Sequence, residues 1–241
     1  DVEVHQKLSY IAAPRSGLKT VEISVTGLKG GHSGVDIHLG RGNANVILSK
    51  FLHQYLFELE AYLVEFSGGS ARNAIPREAT ALILIDESRI ETLQKNVKNY
   101  EKQCLQKLKG IDDRLKIDVE LKEQTVTQAI HPQQQTSWLS ALATCPYGVA
   151  KMSDVLDNVV ETSNNIGVVQ LNQQQAKALI MVRSMVNREA ERFSQEIAAH
   201  FNKAGIASEF TPLVSGWTPN PDSAALKCLQ QAYQTAFNIE P

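Results

Sequence analysis

The chain is poor in cysteine: 3 in 241 residues, at Cys104, Cys145 and Cys228. They are far apart and odd in number, which argues against a disulfide framework or a cysteine-rich metal site. Isolated thiols fit a reducing compartment, so the expected location is the cytoplasm. No apolar run approaches the roughly 20 residues that span a bilayer. The opening stretch, Asp1 to Leu8, is polar and carries no signal-peptide pattern. Charge of either sign is also scarce as an excess: 24 Lys+Arg against 26 Asp+Glu give a net charge of −2. That balance offers no electrostatic case for a nucleic-acid or anionic-membrane partner. Catalytic signatures are missing too. There is no His-x-Asp, Glu-Glu pair, H-E-x-x-H, C-x-x-C, G-x-S-x-G, P-loop or dinucleotide fingerprint. A di-metal hydrolase needs several carboxylates and histidines converging on its ions. No such set can be assembled here, so no metal ligand is assigned.

What is present is an ordinary globular composition, 43% hydrophobic and 21% charged. Lys19 to Gly27 alternates Val21, Ile23 and Val25 with polar residues, the period of a half-buried strand. After a glycine-rich turn, Asn43 to about Tyr62 spaces its apolar residues as a helix. Strands are expected at Tyr62–Phe66 and near Glu78–Asp86, a helix over Ile90–Lys109, and a strand over Leu115–Lys122. Strand–helix–strand–strand–helix–strand is the ferredoxin-like split unit. A second pass follows. A short helix starts at Ser137–Leu142, and Val159–Glu161 with Ile166–Leu171 reads as two strands or one bent strand. A strand at Lys177–Ser184, a helix over Asn187–Ala204, a strand at Ala207–Val214 and a helix over Asp222–Phe237 complete it. The expected fold is α+β: two ferredoxin-like units, about residues 1–125 and 126–215, forming an extended, mostly antiparallel sheet with helices on one face. Val2 to Leu8 reads as a strand with no lead-in, and the chain stops just after a helical pattern, so both ends read as cut.

Few residues stand out for chemistry. His32 sits in Gly30-Gly31-His32-Ser33-Gly34, where glycines allow positive φ and a close backbone approach. It is a presented imidazole or an incidental turn histidine. Asp36 and His38 could share a face as a carboxylate–imidazole pair, but a locally bonded segment leading into the helix is the favoured reading. Asn73 follows a Gly-Gly turn and could donate to a substrate carbonyl, with Arg72 or Arg77 able to hold a carboxylate. Turn chemistry is the favoured alternative there, and a solvated strand-end cation is the alternative for Arg183. His5, His53, His131 and His200 stand alone. Arg41, Asn43 and Asn45 suit capping of the following helix.

Five stretches carry a resemblance. Gly27 to His38, followed by Gly40-Arg41-Gly42-Asn43-Ala44-Asn45, is similar to the lid of bacterial aminoacyl-histidine (Xaa-His) dipeptidases, the carnosinase-like enzymes of the co-catalytic zinc peptidase superfamily. Gly68 to Glu78, Val159 to Val169, Val182-Arg183-Ser184 and Gly216-Trp217-Thr218-Pro219 follow in the same order. The resemblance covers essentially the whole chain. It implies a lid and dimerisation domain over residues 1–215, with 216–241 returning toward a catalytic domain that holds two zinc ions. The family's metal ligands lie outside the lid, so none is expected here and the chain alone is expected to be inactive. The resemblance implies that His32 stabilises the oxyanion, Asn73 binds substrate and Arg183 grips the carboxylate of a dipeptide. It also implies a homodimer. Two other readings stand beside it: a non-enzymatic ferredoxin-like dimerisation module, and a domain that binds amino acids at a dimer edge.

Overall fold

The computed structural model describes residues 1–124, 126–212, 216 and 220–240. The described residues run through β1 (Val2–His5), β2 (Tyr10–Ala12), β3 (Lys19–Thr26), β4 (Gly31–His32), α1 (Ala44–Tyr55), β5 (Tyr62–Gly68), β6 (Ala74–Ile75), β7 (Ala79–Ile85), α2 (Ile90–Lys107) and β8 (Lys116–Lys122). They continue through β9 (Gln128–Ile130), α3 (Pro132–Thr144), β10 (Gly148–Met152), β11 (Val160–Leu171), β12 (Ala176–Ser184), α4 (Asn187–Lys203), β13 (Ala207–Phe210) and α5 (Ala224–Phe237).

Eight strands form one path, β13-β1-β12-β11-β5-β7-β3-β8, with β10 added against β11. In β3-α1-β5-β7-α2-β8 the first strand lies between the third and fourth, the ferredoxin-like arrangement. The same order recurs in β1-α3-β11-β12-α4-β13, where β1 lies between β12 and β13. The first unit is therefore inserted between the first strand and first helix of the second, and β1 pairs within the second unit's sheet. The units join through their second strands, β5 and β11, paired antiparallel from Val169↔Gly68 to Leu171↔Phe66. Equivalent edges meeting antiparallel give the chain an internal pseudo-two-fold, and α1 packs on α3 across the join.

Burial explains the layering. Along β3, Val21, Ile23 and Val25 are fully buried, as the alternation predicts. Along β12, Ala176, Ala178, Ile180 and Val182 are buried beneath the helices, so Met181 and Arg183 project from the opposite face. Helix α4 covers its half with Phe193, Ile197 and Phe201 at four-residue spacing. Phe51, Phe66, Trp138 and Phe201 belong to one core that crosses both units. At about 25 cal/mol per Å² of apolar area, such large buried rings dominate the packing energy.

Several boundaries differ from expectation for local reasons. Helix α1 stops at Tyr55 rather than near Tyr62, because Glu60 turns left-handed (φ 51) and the Ala61 N–H returns to Leu56 O at 3.0 Å. Helix α3 is longer than expected: Pro132 opens it, and the His131 side chain accepts from Gln133 N at 3.3 Å. Val160–Leu171 is one strand, with a register shift between Ile166 and Val168. The last strand ends at Phe210, and its expected residues Leu213 and Val214 lie outside the described residues, as do Trp217, Thr218 and Pro219. The short pairs β4–β6 and β2–β9 were not expected. Helix α5 buries none of its residues. Among the described residues no helix is long and apolar enough to cross a membrane.

Candidate functional site

His32 ends β4, whose partner β6 sets Gly31 against Ile75 and His32 against Ala74. The turn is held from inside. Asp36 Oδ2 accepts the His32 N–H at 2.8 Å and ion-pairs with Arg41 Nη1 at 3.3 Å, and the same Nη1 donates to Gly30 O at 2.6 Å. Gly31 has φ 151, and a side chain there would collide with Arg41 and Asp36. Glycine is therefore what lets the arginine–carboxylate pair close over the turn. Asp36 does not pair with His38, which is exposed on the short turn that follows.

The imidazole's state follows from its partners. His32 Nδ1 accepts from the Gly34 N–H at 3.2 Å and the Val35 N–H at 3.1 Å. Two donors on one nitrogen require its lone pair there, so the neutral ring carries its proton on Nε2. Among the described residues Nε2 has no hydrogen-bond partner, and the residue is exposed. The turn presents a fixed N–H donor.

Arg183 reaches the same place from the second unit. A methyl group built on Gly34 would lie 3.2 Å from His32 Cε1 and 3.3 Å from Arg183 Nε. Imidazole and guanidinium thus converge above Gly34, on the sheet face that the helices leave open. Arg183 Nε is buried without a hydrogen-bond partner among the described residues. Burial, and then the nearby Arg72 cation, lower its pKa from the ordinary arginine value. An anion there would relieve both the lost solvation and the repulsion. Beside it lies a pocket of about 300 Å³ lined by Gly34, Glu161, Ser163, Arg183 and Met185, with Gly216 at its margin.

Asn73 is joined to this turn by its backbone: Asn73 O accepts the Ser33 N–H at 2.9 Å. Its side chain is exposed. The carbonyls on either side, Arg72 O and Ala74 O, accept from Asn165 Nδ2 at 3.1 and 2.7 Å. Asn165 is fully buried, and its Oδ1 accepts from Asn43 Nδ2 at 3.1 Å. Asn43 also caps α1 through Val46 N at 3.2 Å. Neither the Asn43–Asn165 link nor Asn165 itself was anticipated. The available signal was a pair of amides, Asn164-Asn165, running straight into the apolar stretch Ile166–Val169 of the same strand. Of the other arginines considered, Arg72 is paired with Asp1 at 3.0 Å, while Arg77 packs its stem on Gly30. Three of the other histidines have local roles: His5 lies 3.6 Å from Glu209, His131 caps α3, and His200 Nε2 meets Ala141 O at 2.8 Å, while His53 is exposed on α1.

The chain is similar to known peptidases. Residues 20–112 match the peptidase dimerisation domain. Over 226 residues, 94% of this chain, the sequence is 32% identical to the cytosol non-specific dipeptidase of Escherichia coli (strain K12) and covers 46% of it. The crystal structure of aminoacylhistidine dipeptidase from Vibrio alginolyticus matches 100% of this chain with a TM-score of 0.92 at 33% identity, and 49% of that chain is covered. The chain spans about half the length of both relatives. The chain therefore belongs to the peptidase family that carries this dimerisation domain, and it corresponds to the lid portion of that family's aminoacylhistidine dipeptidases.

Proposed function

We propose that this chain is the lid and dimerisation part of a cytoplasmic, di-zinc dipeptidase that cleaves Xaa-His-type dipeptides. Residues 1–215 form the lid, and 216–241 lead back toward the catalytic part. Among the described residues no three His, Cys, Asp or Glu gather to hold an ion. In this reading the zinc ions belong to the other part of the enzyme. The names of the two relatives support a dipeptide substrate and a cytosolic location, and the dimerisation domain supports a homodimer.

The observation that carries the reading is the convergence of the His32 donor and the Arg183 cation above Gly34. Both Gly34 and Val35 amides point at Nδ1, leaving the Nε2 proton for a ligand. Attack on an amide carbonyl turns its oxygen into an oxyanion. A donor preset for that charge, in a site closed to water, is worth about 3–4 kcal/mol. Arg183 would hold the free carboxylate of the dipeptide, and Asn73 would donate to a substrate carbonyl. Closure of the lid would bring these groups onto the scissile bond and exclude water.

The test uses the full-length protein that carries this segment, assayed on alanyl-histidine. His32→Ala is expected to lower kcat by about 10²–10³-fold with little change in KM. Arg183→Ala is expected chiefly to raise KM. A His32→Ala protein with kcat within about twofold of the parent would refute the oxyanion role and favour a purely structural module.

A further inference from the structure

Glu161 and Arg183 line the same pocket beside Gly34. Strand register explains why. Ser163 pairs with Arg183, and the Met185 N–H donates to Glu161 O at 3.0 Å, so Glu161 sits one diagonal step from Arg183 on the same sheet face. Diagonal neighbours of this kind lie about 7–8 Å apart. The pocket therefore carries a cation and a carboxylate that start from backbone positions at about that spacing. The Glu161 side chain is only 10% exposed and is paired with Lys151 Nζ at 2.7 Å. That lysine is itself half-exposed and shared with Asp154 at 2.9 Å, so Glu161 has a partly solvated partner that a ligand can displace or supplement.

We infer that this pocket receives the C-terminal residue of the dipeptide and that Glu161 reads its side chain. The inference rests on the dipeptidase reading above. With the α-carboxylate on Arg183, a side chain carrying an N–H⁺ or ammonium group, as in histidine or lysine, spans the gap to the Glu161 carboxylate. A neutral side chain of the same length would leave that carboxylate without a gain to set against its lost solvation. Glu161 acts as a specificity residue and takes no part in the bond cleavage. The substrate class it selects is dipeptides with a basic C-terminal residue.

The experiment compares kcat/KM for alanyl-lysine and its near-isostere alanyl-norleucine in the full-length enzyme, its Glu161→Gln variant and its Lys151→Met variant. The parent is expected to favour the lysine peptide about tenfold. Glu161→Gln is expected to bring the ratio near one. Lys151→Met removes the competing cation and is expected to widen the preference about threefold. A parent with no preference, a Glu161→Gln protein that keeps it, or a Lys151→Met protein that loses it overturns the assignment. If the parent cleaves neither these peptides nor alanyl-histidine, the dipeptidase reading itself fails. Activity without selectivity refutes the role of Glu161 alone.

Discussion

Replacing Asn165 with alanine tests whether one buried amide positions the site. The Asn165 side chain makes three contacts: Nδ2 to Arg72 O at 3.1 Å, Nδ2 to Ala74 O at 2.7 Å, and Oδ1 from Asn43 Nδ2 at 3.1 Å. The truncation leaves two carbonyls without their donor. Asn43 keeps a bond to Ile166 O at 3.2 Å. A buried group left unsatisfied costs about 1–3 kcal/mol. The 72–74 segment is partly exposed, so water recovers some of this, and about 3 kcal/mol in total is expected. For a domain of this size that corresponds to a fall in Tm of about 6–12 °C. Thermal unfolding measures the global cost. Amide hydrogen exchange at Ser33, whose N–H is bonded to Asn73 O at 2.9 Å, measures whether the His32 turn loosens with it. Asn73→Ala is the control: its side chain is exposed and its backbone bond survives, so Tm is expected to move by under about 2 °C. An Asn165→Ala protein with Tm within about 2 °C of the parent and unchanged Ser33 protection would refute the positioning role.

Two further outcomes follow from the geometry, beside the kinetic tests of His32, Arg183 and Glu161. Gly69 has φ 71, and a side chain there would run into Gly167 O, whereas Gly110 has φ 80 with nothing within 4 Å. Gly69→Ala is therefore expected to destabilise by several kcal/mol, or about 3 or more, and Gly110→Ala by about 1 kcal/mol, in matched denaturant titrations. At alkaline pH, burial first and the Asp112 charge second push the Tyr147 phenol up to about 12, and burial with Glu65 does the same for Tyr10. The unfolded phenols release their protons from about pH 10 while the folded ones hold them, so stability is fully present below pH 10 and is lost as pH rises toward 12. Tyr147→Phe, which sacrifices the bond to Arg41 O at 2.7 Å, should flatten that decline in a pH series of Tm values.

The sequence announces the units better than their wiring. Val21, Ile23 and Val25 alternate because only one face of β3 is packed, and Phe193, Ile197 and Phe201 recur at helical spacing for the same reason, so both elements are legible from local pattern. The pairing of β1 with β12 and β13 joins residues about 175 and about 205 positions apart, and no local period reports it. The glycines around His32 marked a turn, but left a presented imidazole and an incidental turn histidine equally open. Its convergence with Arg183 was available only through the resemblance, since the two lie on different units and meet through sheet register. The asparagine network was not legible at all. Asn43 reads as a helix cap, which it is, but the same side chain turns its amide toward Asn165, and capping rules are silent on the second bond.

The internal two-fold bears on how the site is built. His32 comes from the first unit and Arg183 from the second, and the two converge at Gly34 in a sheet joined through β5 and β11, while Asn73 is tied to the turn by its backbone. The His32 imidazole and the Arg183 guanidinium that flank Gly34 thus come one from each unit. The same join consumes the two equivalent strand edges and the α1–α3 face that a symmetric partner would otherwise use. The sheet's path then ends at β8 and β13. Edge strand β8 alternates Lys116, Asp118, Glu120 and Lys122 toward solvent, a charge pattern that resists strand addition. The segments of β5 and β11 that pair with each other are thus closed to strand addition by the same join that brings Arg183 to the His32 turn.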